Sequence, residues 1–422
     1  MTETVFTYAA PGLKFGRGAS DEIGWDVQQL CRDVPGDAAR RVLLVTDPGV
    51  AVTGHPERIA DGMRTRGLDV VVYAEAHVEP TDASLEAAVA AAREAGPFHA
   101  VVAVGGGSSI DTAKAVDLML TNPGALMDYV NAPVGGGRAP EHPLLPLVAV
   151  PTTTGTGAES TTICVLDVLA LEVKTGISHA RLRPTLAVVD PDLTMTQPAM
   201  VTASAGMDIL CHALESWTAR WYADFEAKQP EQRVPYCGAN PIADMWSEKS
   251  LSLLAGAFRR AVRDGSDGEA REQMALAATF AGLGFGNAGV HVPHACAYPI
   301  AGRVRDYRPE GYPADEPIIP HGMAVVMTAP AAFALLHDAA PERHRRAAEI
   351  LGGAGEPLPD VLRRLMRDVG LPSGLAELGY GVGDVDDLVE GALQQQRLLA
   401  TAPVEVTPDD LAAVFRDSLE HW

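Results

Sequence analysis

The alternation of buried, strand-like runs with helical runs in the first half of the chain is the feature that most constrains the fold. Two of these runs, 55–67 and 82–96, have the apolar spacing of amphipathic helices. Strands that are buried on both faces and separated by helices are typical of parallel sheets with right-handed crossovers. We therefore predict a doubly wound, Rossmann-like α/β domain over residues 1–195. The apolar runs that end in turn or glycine sequence, and so predict its strands, are 39–47, 68–76, 99–107, 146–155 and 185–193.

The pattern changes after residue 195. Residues 200–220, 247–265 and 271–286 have the period of helices, with no buried strand run between them. We therefore predict an all-α second domain over residues 196–422.

The charge balance limits the partners. The chain carries 33 Lys and Arg against 55 Asp and Glu, a net charge of −22, which repels nucleic acid and anionic lipid. No apolar run approaches the roughly 20 residues needed to span a bilayer. The first residues lack the features of a secretory signal or a transit peptide, and the five cysteines are scattered without CxxC spacing. We expect a cytoplasmic protein that binds neither nucleic acid nor membranes.

A glycine-rich loop closes the third predicted strand and opens a helix. Gly105, Gly106 and Gly107 would let the backbone approach a diphosphate, the helix N-terminus would supply N–H groups, and Ser108 would add a hydroxyl. This is not the GxGxxG pattern, and by itself it indicates a tight turn equally well. A second hydroxyl-rich loop, 151–160, follows the next strand at the same edge of the sheet. The two loops together predict a dinucleotide site.

Asp47 ends the first strand of this series, at the same edge. A carboxylate there can accept hydrogen bonds from a ribose 2′-hydroxyl and repels a 2′-phosphate, so it favours NAD over NADP. The alternative is that Asp47, Pro48 and Gly49 form a simple turn.

Two polar residues on one helix suggest a metal site. Asp208 and His212 are four residues apart and share a helix face, which Glu215 extends. A buried Asp/His pair needs a partner, and the alternative is a solvated polar face.

Further histidines could complete that site. His294 follows a proline at the start of a helix, and His321 lies between a proline and a long apolar helix. His291 competes with His294, and the spacing leaves that choice open. One Asp and three His suit Fe²⁺ or Zn²⁺ better than Mg²⁺ or Ca²⁺.

The ordered motifs GGGS, D-x-x-x-H, HACAYP and PHG resemble those of the iron-containing (group III) alcohol dehydrogenases over essentially the whole chain. GFGNAGVHVPHACAYPIAG and IPHGMAVVMTAPAAF are most similar to the hydroxyacid–oxoacid transhydrogenases of that family. The resemblance implies an NAD-dependent oxidoreductase, in which hydride passes from 4-hydroxybutyrate to 2-oxoglutarate, and a homo-oligomer. A plain NAD-dependent alcohol dehydrogenase is the main alternative. A lyase of the dehydroquinate synthase type and a non-catalytic nucleotide-binding protein fit the ligand set less well.

The resemblance also implies site residues. Fe²⁺ is the expected metal and Zn²⁺ the alternative, bound by Asp208, His212, His294 and His321. The metal would act as a Lewis acid on the substrate oxygen. The expected NAD-binding residues are Asp47, Gly105, Gly106, Gly107, Ser108, Asp111, Thr152, Thr153 and Lys174.

Two further features of the sequence concern catalysis. Many family members carry a histidine four residues after the third ligand, where this chain has Tyr298, so we predict that a tyrosine hydroxyl or a water moves the proton. Arg303, Arg305 and Arg308 precede the last ligand, and we predict that Arg305 or Arg308 clamps a substrate carboxylate. The alternative is that these arginines are solvated or paired with acidic residues of their own segment.

Overall fold

The computed structural model describes residues 2–32, 40–171, 173–312, 314 and 316–422. Residue 39, the first of the predicted strand 39–47, lies outside them. The chain divides into two compact units. The α/β unit comprises Ala10–Thr153 and Ala158–Thr196, and the helical unit comprises Met1–Ala9, Thr154–Gly157 and Gln197–Trp422. The predicted division after residue 195 lies one residue before the main division of the structure.

The α/β unit is built on a six-stranded parallel sheet with the order β1-β8-β5-β4-β2-β3, and β6 and β7 form a separate antiparallel hairpin. This arrangement confirms the predicted fold class. The strands are β1 Gly12–Phe15, β2 Arg41–Val45, β3 Asp69–Tyr73, β4 Ala100–Gly105, β5 Leu147–Pro151, β6 Ile163–Val168, β7 Val173–Ser178 and β8 Leu186–Val189.

Helices cover both faces of the sheet. Leu43 and Val101 point to one face, where they pack in one core cluster with Leu85. The alternate strand residues, such as Val42, pack on the other face with Ile59. Because successive side chains point to opposite faces, strands covered on both sides need continuous apolar runs. The helices of this unit are α1 Ile23–Leu30, α2 Pro48–Ala51, α3 His55–Arg64, α4 Asp82–Ala95, α5 Gly107–Thr121 and α6 Leu126–Tyr129.

The described residues from Gln197 onward form no β-sheet, as predicted for the second domain. No single helix of the described chain is long and apolar enough to cross a membrane; α9 and α10 together meet that length and composition but bend by 104°. The helices of this unit are α7 Ala199–Thr218, α8 Pro241–Arg263, α9 Gly268–Ala288, α10 Val292–Gly302, α11 His321–Leu335, α12 Pro341–Ile350, α13 Leu358–Asp368, α14 Val385–Leu393, α15 Gln396–Leu399 and α16 Pro408–Asp417.

Candidate functional site

Three helices of the helical unit bring together the four residues predicted to bind a metal. Asp208 and His212 lie on α7, His294 lies in the first turn of α10, and His321 begins α11. One ligand atom from each residue lies within 4.8 Å of the others. The Nε2 atoms of His212 and His294 are both 3.6 Å from Asp208 Oδ1, and that of His321 is 4.0 Å from it.

A glycine allows α11 to approach α7 closely enough to place His321. A Cβ atom at Gly322 would lie 2.2 Å from the carbonyl oxygen of Ser204 and 2.7 Å from Asp208 Cβ. The next residue, Met323, donates its backbone N–H to Ser204 Oγ at 3.1 Å. Any side chain at position 322 would therefore push the His321 imidazole away from Asp208.

The cluster has the chemistry of a divalent metal site. Asp208 Oδ1 and His294 Nε2 are buried and have no hydrogen-bond partner within the described chain. Leaving such atoms unpaired is costly, and a cation between them would satisfy both. One carboxylate and three imidazoles form a donor set of intermediate softness, which suits Fe²⁺ and Zn²⁺. The residues present therefore fit the implied metal.

The protonation of the histidines matters because only a neutral imidazole binds a metal. Burial lowers the pKa of His212 to about 3, so this ring is neutral at pH 7. Burial also opposes protonation of His294, but Glu215 and Asp208 outweigh it and raise the pKa of His294 to about 9. Metal binding must therefore displace a proton from His294.

Glu215, which lies two turns beyond Asp208 on α7, is the residue whose importance the sequence did not reveal. Its side chain is fully buried and accepts the backbone N–H groups of His291 and His294 at 2.7 and 3.2 Å. Its second oxygen lies 2.5 Å from His294 Nδ1. In the neutral ring, which is the form that binds a metal, a carboxylate that accepts from Nδ1–H leaves Nε2 with its lone pair toward Asp208. Glu215 therefore fixes both the position and the tautomer of His294.

The cluster includes His294 and not His291, as the resemblance implies. The His291 side chain is fully buried, and its Nε2 lies 3.0 Å from Thr218 Oγ1. Its contacts with Thr218 and Glu215 give His291 a supporting position beside the cluster.

Tyr298 lies on α10, one turn after His294. It is buried, and its ring meets the His321 ring edge to face with centroids 6.3 Å apart. The Tyr298 ring thus lies beside one residue of the Asp–His cluster.

In the α/β unit, the two predicted cofactor loops are in contact. The backbone N–H of Thr152 donates to the carbonyl of Gly105 at 3.0 Å, and a Cβ atom at Gly106 would lie 3.2 Å from Thr153 Oγ1. Helix α5 begins at Gly107. The N–H groups in the first turn of a helix have no carbonyl partner within that helix, so they can bind a ligand. The buried Thr152 hydroxyl finds no hydrogen-bond partner among the described residues. These features fit an incoming diphosphate.

Asp47 caps α2 and reaches the glycine loop. One carboxylate oxygen accepts the Val50 N–H at 2.9 Å, and the other accepts the Ser109 hydroxyl at 2.8 Å. Asp47 is therefore a helix-capping residue whose carboxylate is also fixed beside the start of α5.

Two other residues assigned to the cofactor have partners within the unit. Asp111 is buried, where it accepts bonds from Lys114 Nζ at 3.2 Å and from the Val165 N–H at 2.9 Å, which favours a structural role. Lys174 is buried between the carboxylates of Glu79 and Asp167, at 2.7 and 2.9 Å.

The arginines before the last ligand differ in their partners. Arg305 pairs with Asp384 and donates to the carbonyl of Gly379 at 2.9 Å, and Arg303 lies 3.5 Å from Asp387. Both pairs join residues far apart in the chain, and not within one segment as the alternative supposed. Arg308 is exposed and donates to the Asp306 carbonyl at 3.1 Å. It pairs with no carboxylate of the described chain.

Comparisons with known proteins assign the two halves of the chain to one family. The iron-containing alcohol dehydrogenase family matches residues 11–191, and the C-terminal domain of the Fe-containing alcohol dehydrogenase family matches residues 231–419. The mitochondrial hydroxyacid-oxoacid transhydrogenase of Rattus norvegicus is 42% identical over 99% of this chain and 91% of its own.

Two solved structures are similar over nearly the whole fold. A 1,3-propanediol oxidoreductase has a TM-score of 0.84 at 29% identity and covers 98% of this chain and 100% of its own. A sulfoacetaldehyde reductase from Bifidobacterium kashiwanohense, solved in complex with NAD⁺, has a TM-score of 0.79 at 28% identity and covers 98% of each chain. The protein is thus an oxidoreductase. It belongs to the iron-containing alcohol dehydrogenase family.

Proposed function

We propose that the protein is an NAD-dependent hydroxyacid–oxoacid transhydrogenase that moves a hydride from a short hydroxy acid, such as 4-hydroxybutyrate, to an oxo acid, such as 2-oxoglutarate. The observation that carries this proposal is the 42% identity to a transhydrogenase over nearly the full chain. The buried Asp and His cluster and the glycine loop support it, because hydride transfer of this kind needs both. A plain NAD-dependent alcohol dehydrogenase is the second candidate, supported by the oxidoreductases of similar structure.

Asp208, His212, His294 and His321 would hold the metal, which we propose is Fe²⁺, with Zn²⁺ as the alternative that metal analysis identifies. When bound, the metal supplies a Lewis acid for the substrate oxygen. Glu215 keeps His294 in the ligand-competent tautomer. Tyr298 is buried, and its hydroxyl is our candidate for moving the proton that the substrate hydroxyl loses.

NAD would bind the glycine loop of the α/β unit and serve as the hydride carrier. The first-turn N–H groups of α5, together with Ser108 and the Thr152 hydroxyl, would receive the diphosphate. The NAD⁺ in the sulfoacetaldehyde reductase structure supports this assignment. Because a transhydrogenase regenerates NAD⁺ within each cycle, the cofactor need not leave between the two half-reactions.

Replacing Asp47 with glycine should narrow the preference for NAD over NADP. The buried carboxylate would repel a 2′-phosphate, which is worth on the order of 1–3 kcal/mol at such a site. Steady-state kinetics with both cofactors measure the preference. Asp47→Asn is the matched variant, because its amide oxygen can still accept the Val50 N–H and cap α2, while the negative charge is lost. Equal kinetics with NAD and NADP in the parent protein would refute the assignment.

The substrate class can be tested by following the hydrogen itself. The iron-loaded protein is incubated with 2-oxoglutarate and 4-hydroxybutyrate that carries deuterium at C4, with only catalytic NAD. We expect deuterium at C2 of the 2-hydroxyglutarate formed, and succinate semialdehyde as the other product. If NADH accumulates instead, and 1-butanol is oxidised faster than 4-hydroxybutyrate, the plain alcohol dehydrogenase reading is right.

Arg308 is our candidate for binding the substrate carboxylate, because Arg305 is already paired. Arg308→Ala should raise the transition-state free energy for 4-hydroxybutyrate by roughly 2–4 kcal/mol, which is measured as a lower kcat/KM. The kcat/KM for 1-butanol should stay unchanged. Arg305→Ala is the matched control, for which we expect a smaller effect on the acid. An equal loss in both variants, or no loss in either, would exclude the clamp.

We further propose that the protein acts in the cytoplasm as a homo-oligomer. All five cysteines are free, which supports a reducing compartment. Since the Rattus norvegicus relative is mitochondrial, fractionation of cells expressing the protein is the direct test. Light scattering on the purified protein measures the oligomeric state.

A further inference from the structure

The His212 ring lacks the hydrogen bond that usually orients a metal-binding histidine. Its Nε2 lies 3.6 Å from Asp208 Oδ1 and so points into the Asp–His cluster. Its other nitrogen, Nδ1, is buried and has no hydrogen-bond partner among the described residues. A histidine that binds a metal almost always donates its second ring N–H, as His294 can to Glu215. A different kind of contact must therefore hold the His212 ring.

The ring of Phe285 provides such a contact. Phe285 is a buried residue of α9, and its ring stacks on the His212 imidazole with centroids 3.8 Å apart and planes inclined by 6°. The His294 ring also stacks on His212, with centroids 4.6 Å apart and planes inclined by 25°. Because the Phe285 and His212 rings are already in contact, a tilt of the imidazole would bring their atoms into overlap. The stack therefore limits how far the His212 ring can turn.

A glycine next to Phe285 lets α9 come this close to α7. A Cβ atom at Gly284 would lie 2.8 Å from Ser247 Oγ on α8 and 3.3 Å from Ser216 Oγ on α7. Both distances are shorter than ordinary van der Waals contact, so a side chain at position 284 would push α9 outward. The Gly284–Phe285 pair thus combines a close helix approach with the ring that this approach brings onto His212.

We propose that Phe285 is a positioning residue of the metal site, which holds the His212 imidazole by ring stacking where no hydrogen bond holds it. The inference rests on the proposed binding of a metal by the Asp–His cluster. Two ligands are then oriented in different ways: a carboxylate, Glu215, orients His294, and an aromatic ring orients His212. Phe285 is assigned no contact with the metal or the substrate.

The test measures the Zn²⁺ affinity of the metal-free protein by competition with a chelator, and the visible spectrum of the Co²⁺-loaded protein. Phe285→Leu keeps a buried apolar side chain but removes the flat ring. We expect its Zn²⁺ dissociation constant to rise about tenfold and its Co²⁺ bands to shift, because His212 becomes free to tilt. Phe285→Tyr keeps the ring, so its dissociation constant should stay within about threefold of the parent value and its Co²⁺ bands should match.

Phe258→Leu is the matched control. Phe258 is fully buried on α8 and also packs on α7, where its ring occupies the space that a Cβ atom at Gly206 would need. Both leucine variants replace a buried phenylalanine by a smaller apolar residue, so we expect both to lower the melting temperature of the metal-free protein. Phe258→Leu should keep the Zn²⁺ affinity and the Co²⁺ bands of the parent.

Parent-like affinity in Phe285→Leu, or an equal loss in Phe285→Leu and Phe258→Leu, would overturn the inference. Affinity as weak in Phe285→Tyr as in Phe285→Leu would also overturn it, since the ring would then not be what holds His212. If the parent protein binds neither metal, the proposed metal site fails. That failure is distinguishable from the others because it appears in the parent before any substitution is made.

Discussion

His294→Ala should abolish metal binding and activity, whereas His291→Ala should leave the metal in place. His294 presents an unpaired, buried Nε2 that is 3.6 Å from Asp208 Oδ1, so its loss removes one of four ligands. Ligand loss should weaken metal binding more than the 10–100-fold typical of changes in outer partners. His291 instead contacts Thr218. Metal content per chain, measured by elemental analysis after iron loading, gives the result directly.

The comparison is matched because both histidines are buried and both lie next to Glu215. A general disturbance of this region should therefore affect the two variants alike. Metal loss in His291→Ala together with retention in His294→Ala would reverse the ligand assignment. Circular dichroism of both variants checks that each remains folded.

Glu215→Gln should lower metal affinity by roughly 10–100-fold while the four ligands stay in the sequence. An amide has one acceptor oxygen, whereas the Glu215 carboxylate now receives two backbone N–H groups and the His294 ring. The new NH₂ group would face a ring N–H or a backbone N–H, so the His294 tautomer would no longer be fixed. Competition with a chelator of known affinity measures the change.

Ser216→Ala is the control for that experiment. Ser216 is the next residue of α7 and is also fully buried, but it bonds Ser247 and not a ligand residue. We expect metal affinity close to that of the parent in this variant. Equal affinity in Glu215→Gln and the parent would mean that His294 keeps its orientation without the carboxylate.

The sheet was predictable from sequence because its central strands are covered on both faces. Val42 and Leu43 pack on opposite sides of the sheet. Because both faces are buried, successive residues of such a strand must be apolar, and the sequence shows a continuous apolar run. β1 and the β6–β7 hairpin were not predicted. β1 is a short edge strand with two exposed residues, and β7 includes Lys174, Thr175 and Gly176, so neither β1 nor β7 shows such a run. β6 is largely apolar, but its antiparallel partner β7 carries no matching signal.

The four members of the Asp–His cluster could be proposed from sequence because two of them share a helix face and the others lie beside prolines in recognisable motifs. Glu215 could not be assigned its role, since that role depends on burial and on contacts across the fold. The partners of Arg303 and Arg305 lie about 80 residues later in the chain, a distance that no local pattern reports. The sequence alone therefore did not show which residues distant in the chain pair with each other in the fold.

The chain between α10 and α11 leaves from one helix of the metal cluster and returns at another. Its two ends are therefore fixed by the same four-residue cluster, whatever its own length and sequence. Such a segment can change without moving His294, because this residue lies in the first turn of α10, at the end away from the segment. His321 is held by the close approach of Gly322 to Ser204 and by the Met323 N–H bond to Ser204 Oγ. If Arg308 in this segment binds the substrate, as we propose, substrate choice can diverge while the Asp–His cluster stays the same. Exchanging this one segment between relatives would then transfer specificity between enzymes that share the cluster.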